Sequence, residues 1–325
     1  MTHLQPSLRS ETPLAPLRVG VVGLTPEGLF HLESLALRRE FSPVFAEGTE
    51  GANVDGIGGC RQLELDELLQ VELDLAIIAT SSELRIQTSR EFLSRGRNVV
   101  VEAGIHADEQ QFVEECLLIA CERNLLFGIW QPELSEPDFL AAKTVAESED
   151  SGEIHSARFL QHCLAQQRIS QDSVSTAGRD NRTGHNAITV TRQRLTQLMQ
   201  LVDEPVLKIH STIRGNDVAS ATASTVLVEF ESGATGLIDV DVAATTVMDT
   251  GWLLQTTHGG YHNGRQSRIE ADGEVYDVPV EVEPRDNYLD LARLLRSDTS
   301  VCLEYSRRTV NLELSVARLM DVRPA

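Results

Sequence analysis

Lysine is nearly missing from this 325-residue chain: only Lys143 and Lys208 occur, and every other basic residue is arginine. Lysine chemistry therefore has no place before residue 143. Cysteine is scarce too. Cys60, Cys116, Cys121, Cys163 and Cys302 are odd in number and form no Cys-x-x-Cys, which excludes a disulfide scaffold and a thiolate zinc site. No metal is expected, and Cys116 and Cys121 read as core thiols. No apolar run reaches the roughly 18 residues of a transmembrane helix. Residues 1–16 lack the apolar stretch of a secretory signal and read as a flexible tail, so a cytoplasmic setting is expected. Positive charge is outnumbered, 28 basic against 49 acidic residues, for a net charge of −21. Such a surface repels phosphate backbones and anionic membranes, so neither nucleic acid nor a membrane is an expected partner.

What is present is a globular composition, 41% hydrophobic and 24% charged, with a length that suggests two domains at roughly 100–200 residues each. Apolar β-branched runs at residues 17–23, 41–46, 73–79, 98–101 and 125–129 predict strands. They alternate with helical patterns at 26–39, 65–69, 84–95 and 108–123. That alternation implies βαβ units and a doubly wound parallel sheet over residues 17–130. The pattern then changes. Residues 131–325 predict helices at 139–148, 187–202, 288–296 and 307–320. Strands are expected at 154–162, 206–213, 224–231, 234–242, 252–257, 268–271 and 275–280, and residues 166–184 read as a loop. Consecutive strands without intervening helices imply an α+β domain with a large, mainly antiparallel sheet, helices on one face. The other face needs cover, which predicts a homo-oligomer.

The first strand ends in Gly23-Leu24-Thr25-Pro26-Glu27-Gly28. A dinucleotide fingerprint is Gly-x-Gly-x-x-Gly between a strand and a helix. Gly23 supplies the tight turn and Gly28 the helix packing, but Thr25 replaces the middle glycine, where backbone normally approaches the pyrophosphate. Glu47 ends the second strand 24 positions after Gly23, near the offset of the acid that holds an adenosine ribose, and a carboxylate there favours NAD over NADP.

Several strings, in order, resemble the Gfo/Idh/MocA oxidoreductase family. Gly23 to His31 resembles its Gly-x-Gly-x-x-Gly-x-x-His opening. Asp74 to Thr80 resembles its third strand, which ends in Thr-Pro, and Gly96 to Glu102 the run into its Glu-Lys-Pro. Residues 151–154, 231–236 and 258–260 resemble turns and strand starts of its second domain. The resemblance spans residues 17–320 and implies an NAD(P)-dependent oxidoreductase acting on a small sugar- or polyol-like substrate. It places the cofactor over Gly23, Leu24, Thr25 and Gly28, with Glu47 on the ribose and Thr80 and Glu102 on the path to the nicotinamide.

The departures fall on the chemistry. Where the family has Glu-Lys-Pro, this chain has Glu102-Ala103-Gly104. The family's catalytic-helix histidine falls at Gln193 or Arg194. Ser81 replaces the usual proline after Thr80, and Arg85 a later histidine. Replacement bases are sought among His162, His185, His258 and His262. His185 is the catalytic candidate, with the right pKa range, next to Arg179 and Arg182 as possible anion holders. Two readings stand: an oxidoreductase with a degenerate catalytic site, or an inactive relative serving as a nucleotide-binding, regulatory or assembly module.

Overall fold

Four of the six residues of the first strand, Leu17–Val22 (β1), are buried, the run Val19 to Val22 that lies inside a parallel sheet. The structure, a computed structural model, describes residues 14–47, 57, 59–80, 82–164, 187–215, 221–244, 250–270 and 272–320. β1 pairs in parallel with β2 (Phe41–Glu47) and with β4 (Leu75–Ile78). Outside them lie β3 (Arg61–Gln62), β5 (Asn98–Glu102) and β6 (Phe127–Trp130), giving a six-stranded order β3-β2-β1-β4-β5-β6. Chain order reverses between β1 and β4, so the crevice beyond their carboxyl ends is where this fold places a ligand.

Helix α1 (Pro26–Ala36) covers one face of this sheet through Leu32 and Leu35. Helices α2 (Leu65–Leu68), α3 (Ser82–Ser94) and α4 (Gln110–Arg123) cover the other through Leu68, Phe92 and Val113. After α5 (Pro137–Ala146) the second sheet begins with β7 (Ile154–Leu164), followed by helix α6 (Ala187–Val202). Its further strands are β8 (Val206–Arg214), β9 (Ala223–Phe230), β10 (Thr235–Ala244), β11 (Gly251–Thr256), β12 (Gly259–His262), β13 (Arg265–Ile269) and β14 (Val275–Pro279). The eight-stranded order is β14-β13-β12-β11-β7-β10-β9-β8, with β7 and β10 parallel and the other pairs antiparallel. α5 and α6 pack on one face, and alternate residues of β9 and β10 are buried beneath them. The fold is thus α/β, with a Rossmann sheet and a larger, mostly antiparallel one.

Helices α7 (Asn287–Leu295) and α8 (Thr299–Met320) return to the first sheet. The edge strand β6 would expose amide groups. Ser306 and Thr309 of α8 supply hydroxyls that accept from the Phe127 and Ile129 N–H groups at 3.1 and 3.3 Å. Farther along α8, Val310 and Leu314 enter the first core and Val316 the second, so one helix braces both.

Three local expectations are corrected. The last helix starts at Thr299, not at Arg307: Cys302 and Ser306 continue its buried stripe, and tertiary packing overrides the weak helix propensity of Thr299, Ser300 and Val301. His258-Gly259-Gly260, expected as a glycine turn, leads into strand β12, and the strand expected at 268–271 runs over Arg265–Ile269. The glycines are there because strands crowd: a Cβ at Gly259 would stand 1.9 Å from the Ser267 carbonyl oxygen.

Candidate functional site

The turn after β1 is built by backbone crowding. Gly23 has φ +92°, and a Cβ there would lie 2.5 Å from the Ala79 carbonyl oxygen. At Gly28 a Cβ would lie 1.8 Å from the Gly23 carbonyl oxygen. Only glycine lets α1 approach the end of β1 this closely. Thr25 is the N-cap of α1. Its Oγ1 accepts from the Gly28 N–H at 3.2 Å and donates to the Ala79 carbonyl at 3.1 Å. A helix N-terminus holds phosphate through its unpaired N–H groups. Here Pro26 has none and Gly28 gives its own to Thr25. The turn has the glycine geometry of the fingerprint with fewer free N–H donors than the fingerprint normally offers.

At the end of β5, Glu102 turns to His31 of α1. His31 is fully buried, and its Nε2 lies 2.5 Å from Glu102 Oε1. A carboxylate only accepts, so Nε2 donates. Nδ1 is then free to accept from the Tyr288 hydroxyl at 2.8 Å. Burial raises the Tyr288 pKa, which keeps the phenol a donor. Trp130 packs edge-on against the imidazole, and the Arg38 guanidinium lies over the Tyr288 ring. Tyr288 and Trp130 have no sequence signal that links them to His31.

The loop after β5 lacks lysine and is held by charge. Arg85 of α3 is 8% exposed. Its Nη1 donates to the Glu102 and Ala103 carbonyls at 3.1 and 3.2 Å, and its Nη2 to the Thr80 carbonyl at 3.5 Å. Burial lowers the Arg85 pKa. Glu313 of α8, 1% exposed, accepts from the Gly104 and Ile105 N–H groups at 2.8 and 3.0 Å and from Arg192 Nη2 at 2.7 Å. Arg192 Nη2 also reaches the Ile105 carbonyl, and Gln131 Nε2 donates to the second Glu313 oxygen at 3.3 Å. Glu313 was missed from sequence. It falls on the same helical stripe as Cys302, Ser306, Thr309 and Leu314, which is the signal that could have found it.

Beside this loop lies a buried carboxyl, Glu133, which follows β6. Burial pushes it up to about 8, and the charges of Glu313 and Glu136 act the same way. Arg194 bonds Glu136 and Gln197 and lies over the Phe159 ring. Gln197 in turn accepts from the Trp252 indole at 2.9 Å.

The structure brings Gly23, Thr25, Gly28, Thr80, Glu102 and Ala103 to one edge of the first sheet. Val22 is in register with Glu47, which sets Glu47 at the β2 end of that edge. His185, Arg179 and Arg182 lie outside the described residues. His162 is elsewhere, on the open face of the second sheet, where it meets Asp239 at 3.1 Å. His258 bonds Ser151 through its backbone, and His262 sits at the end of β12. Lys143 pairs with Glu147 and Lys208 with Glu229. Cys116 is buried with its thiol pushed up to about 12 by burial. Among the described residues no cluster of His, Cys, Asp and Glu could hold a metal, and no helix is long and apolar enough to cross a membrane. A cavity of about 1060 Å³ lies between α5, α7 and α8, lined by Trp130, Lys143, Asp286, Tyr305 and Arg308.

No family model matches the chain, and no curated protein sequence matches it. Solved structures do. GenD2 from gentamicin A biosynthesis, in complex with NAD, is 18% identical over 98% of this chain and 95% of its own, with a TM-score of 0.65. An NAD-binding protein from Listeria innocua is 16% identical over 94% and 97%, with a TM-score of 0.72. Biliverdin reductase from Synechocystis sp. PCC 6803, in complex with biliverdin and NADP+, is 17% identical over 93% and 99%, with a TM-score of 0.63. At these identities the likeness establishes the fold, and this chain is a two-sheet α/β protein built like those three.

Proposed function

We propose that this chain is an NAD(P)-dependent oxidoreductase of the Gfo/Idh/MocA type with a degenerate catalytic site and a sugar- or polyol-like small-molecule substrate. One observation carries the reading: the Gly23–Gly28 turn stands at the switch point of a sheet ordered β3-β2-β1-β4-β5-β6. The fold shared with GenD2 and biliverdin reductase, whose structures contain NAD and NADP+, supports it. Glu47 favours NAD, because its carboxylate repels a 2′-phosphate. Oxidising an alcohol requires a base for the hydroxyl proton, and His185 is the candidate. Loss of an acid–base group costs ~10²–10⁴ in rate, so turnover on ordinary polyols is expected to be weak. The face of the second sheet that the described residues leave uncovered, with Leu227 exposed on it, supports homo-oligomerisation, and a cytoplasmic setting is part of the same reading.

A second reading, an inactive relative serving as a nucleotide-binding, regulatory or assembly module, is favoured by Ala103 together with the arginines that fill its surroundings. Calorimetric titration with NAD(H) and NADP(H), alongside a dehydrogenase assay on a sugar and polyol panel, separates the two. The same assays on Ala103→Lys with Thr25→Gly test the site directly. Robust wild-type turnover on ordinary polyols overturns the degenerate site. NAD affinity that appears only after Thr25→Gly shows a pocket retained in shape alone.

A further inference from the structure

The chain leaves the first sheet at Trp130 and passes to α5 through the 3-10 turn Pro132–Ser135, which packs on α5 and α6. Three carboxyls and two guanidiniums meet at this seam. Arg192 of α6 pairs with Glu313 of α8 at 2.7 Å, and Arg194 of α6 pairs with Glu136. Both guanidiniums are thus matched. Glu133, 4% exposed, is the third acid, and among the described residues no salt bridge reaches it. The other charged and titratable groups around it are engaged. Asp138 of α5 accepts from the Tyr261 hydroxyl at 2.6 Å, Arg85 of α3 holds the strand-end carbonyls, and burial keeps the Tyr305 phenol of α8 neutral. A buried acid without a counter-ion keeps its proton. Burial, then the like charges of Glu313 and Glu136, push the Glu133 pKa up to about 8. The seam also has a second pairing within reach. Arg194 is the guanidinium whose charge favours an ionised Glu133, and its Nε is buried with no partner among the described residues. Arg194 donates to Gln197 Oε1 at 3.0 Å. Gln197 in turn donates to the Glu133 carbonyl at 2.6 Å and accepts from the Trp252 indole at 2.9 Å, so it ties the turn to the second sheet.

We propose that Glu133 is a proton-operated latch between the two sheets: neutral, it leaves Arg194 on Glu136 and the seam closed; ionised, it draws Arg194 to itself and loosens α6 from residues 132–136. The closed state binds the proton more tightly, so closure is strongest at low pH and is lost as pH rises through about 8. The β5 loop feels the change, because Arg192 of the same helix reaches the Ile105 carbonyl. The latch acts whether or not a nucleotide binds.

The chain has two tryptophans, and both flank the seam: Trp130 at the end of β6, and Trp252, 1% exposed and bonded to Gln197. The test is acrylamide quenching of their emission in the full chain from about pH 6 to about 9.5, below the ordinary tyrosine range, with far-UV circular dichroism recorded in parallel. The wild-type quenching constant should rise about twofold with a midpoint near pH 8 and unchanged circular dichroism. Glu133→Gln should lack this rise. Glu136→Gln frees Arg194 to stabilise an ionised Glu133 and should lower the midpoint by about one pH unit. A flat wild-type profile, a rise that persists in Glu133→Gln, or circular dichroism lost in step with the quenching overturns the proposal. Should Glu133→Gln not fold, Glu136→Gln decides, and an unmoved or raised midpoint overturns it.

Discussion

The turn after β1 and the loop after β5 meet at one edge of the same sheet, and they are held in place by different forces. At the first, backbone stands where any Cβ would go: Gly23 faces the Ala79 carbonyl and Gly28 the Gly23 carbonyl. At the second, the backbone of Ala103, Gly104 and Ile105 is tied by side chains from three helices, Arg85, Arg192 and Glu313. The glycines are demanded by the fold whether or not a ligand binds. In the β5 loop Gly104, at φ +99°, is demanded by the backbone, while the neighbouring residues are held by side-chain bonds from elsewhere in the chain. A turn fixed by sterics restricts which residues it can hold, and a loop tied by side chains depends on partners supplied from elsewhere in the chain.

The largest effect should come from removing Glu313. Glu313→Ala removes the carboxylate that pairs with the Arg192 charge and with two amides, and should cost about 3–5 kcal/mol in denaturant unfolding. A loss under about 1 kcal/mol would mean that backbone, not charge, holds the β5 loop. Next is Gly28→Ala, which tests the steric side of the contrast. The added methyl must push α1 off β1, at a cost of about 3 kcal/mol, near the top of the overpacking range.

Glu133 gives a smaller, pH-dependent effect on the charged side. Its folded pKa of about 8 exceeds the ordinary 4.5, so the folded state holds the proton more tightly. Stability should therefore fall as pH rises through that window, and the full penalty is present above it. Glu133→Gln should flatten the slope and gain about 1–3 kcal/mol at high pH with no comparable gain at low pH, measured by urea unfolding at both ends. The smallest effect is Thr25→Ala. Loss of the cap should cost about 1 kcal/mol, read as a modest drop in thermal midpoint.

Much of the architecture was legible in the residues. Apolar β-branched runs such as Val19 to Val22 and Leu75 to Ile78 have no other use than a buried parallel sheet, and their alternation with helices fixes its class. The Gly23–Gly28 spacing placed the crevice, and the absence of lysine before residue 143 settled that Ala103 has no nearby substitute lysine. Where the reading slipped, glycine was the reason once: Gly259 and Gly260 serve strand crowding instead of a turn. The early start of the last helix was hidden because Thr299, Ser300 and Val301 have little intrinsic preference for it.

The sequence by itself determined the periodicities, the acidic composition, the glycine turn and the absence of lysine before residue 143, since each of these is carried by residue type and local spacing. Only the tertiary structure decided which side chains meet around the ends of α1 and β5. His31, Glu102 and Tyr288 meet across as many as 257 positions, and Gly104, Arg192 and Glu313 across as many as 209. Such partners share no periodicity that a sequence displays. They are chosen by the burial of charge: once packing removes Glu313 and Arg85 from water, each must take whichever donors and carbonyls the neighbouring strands and helices present.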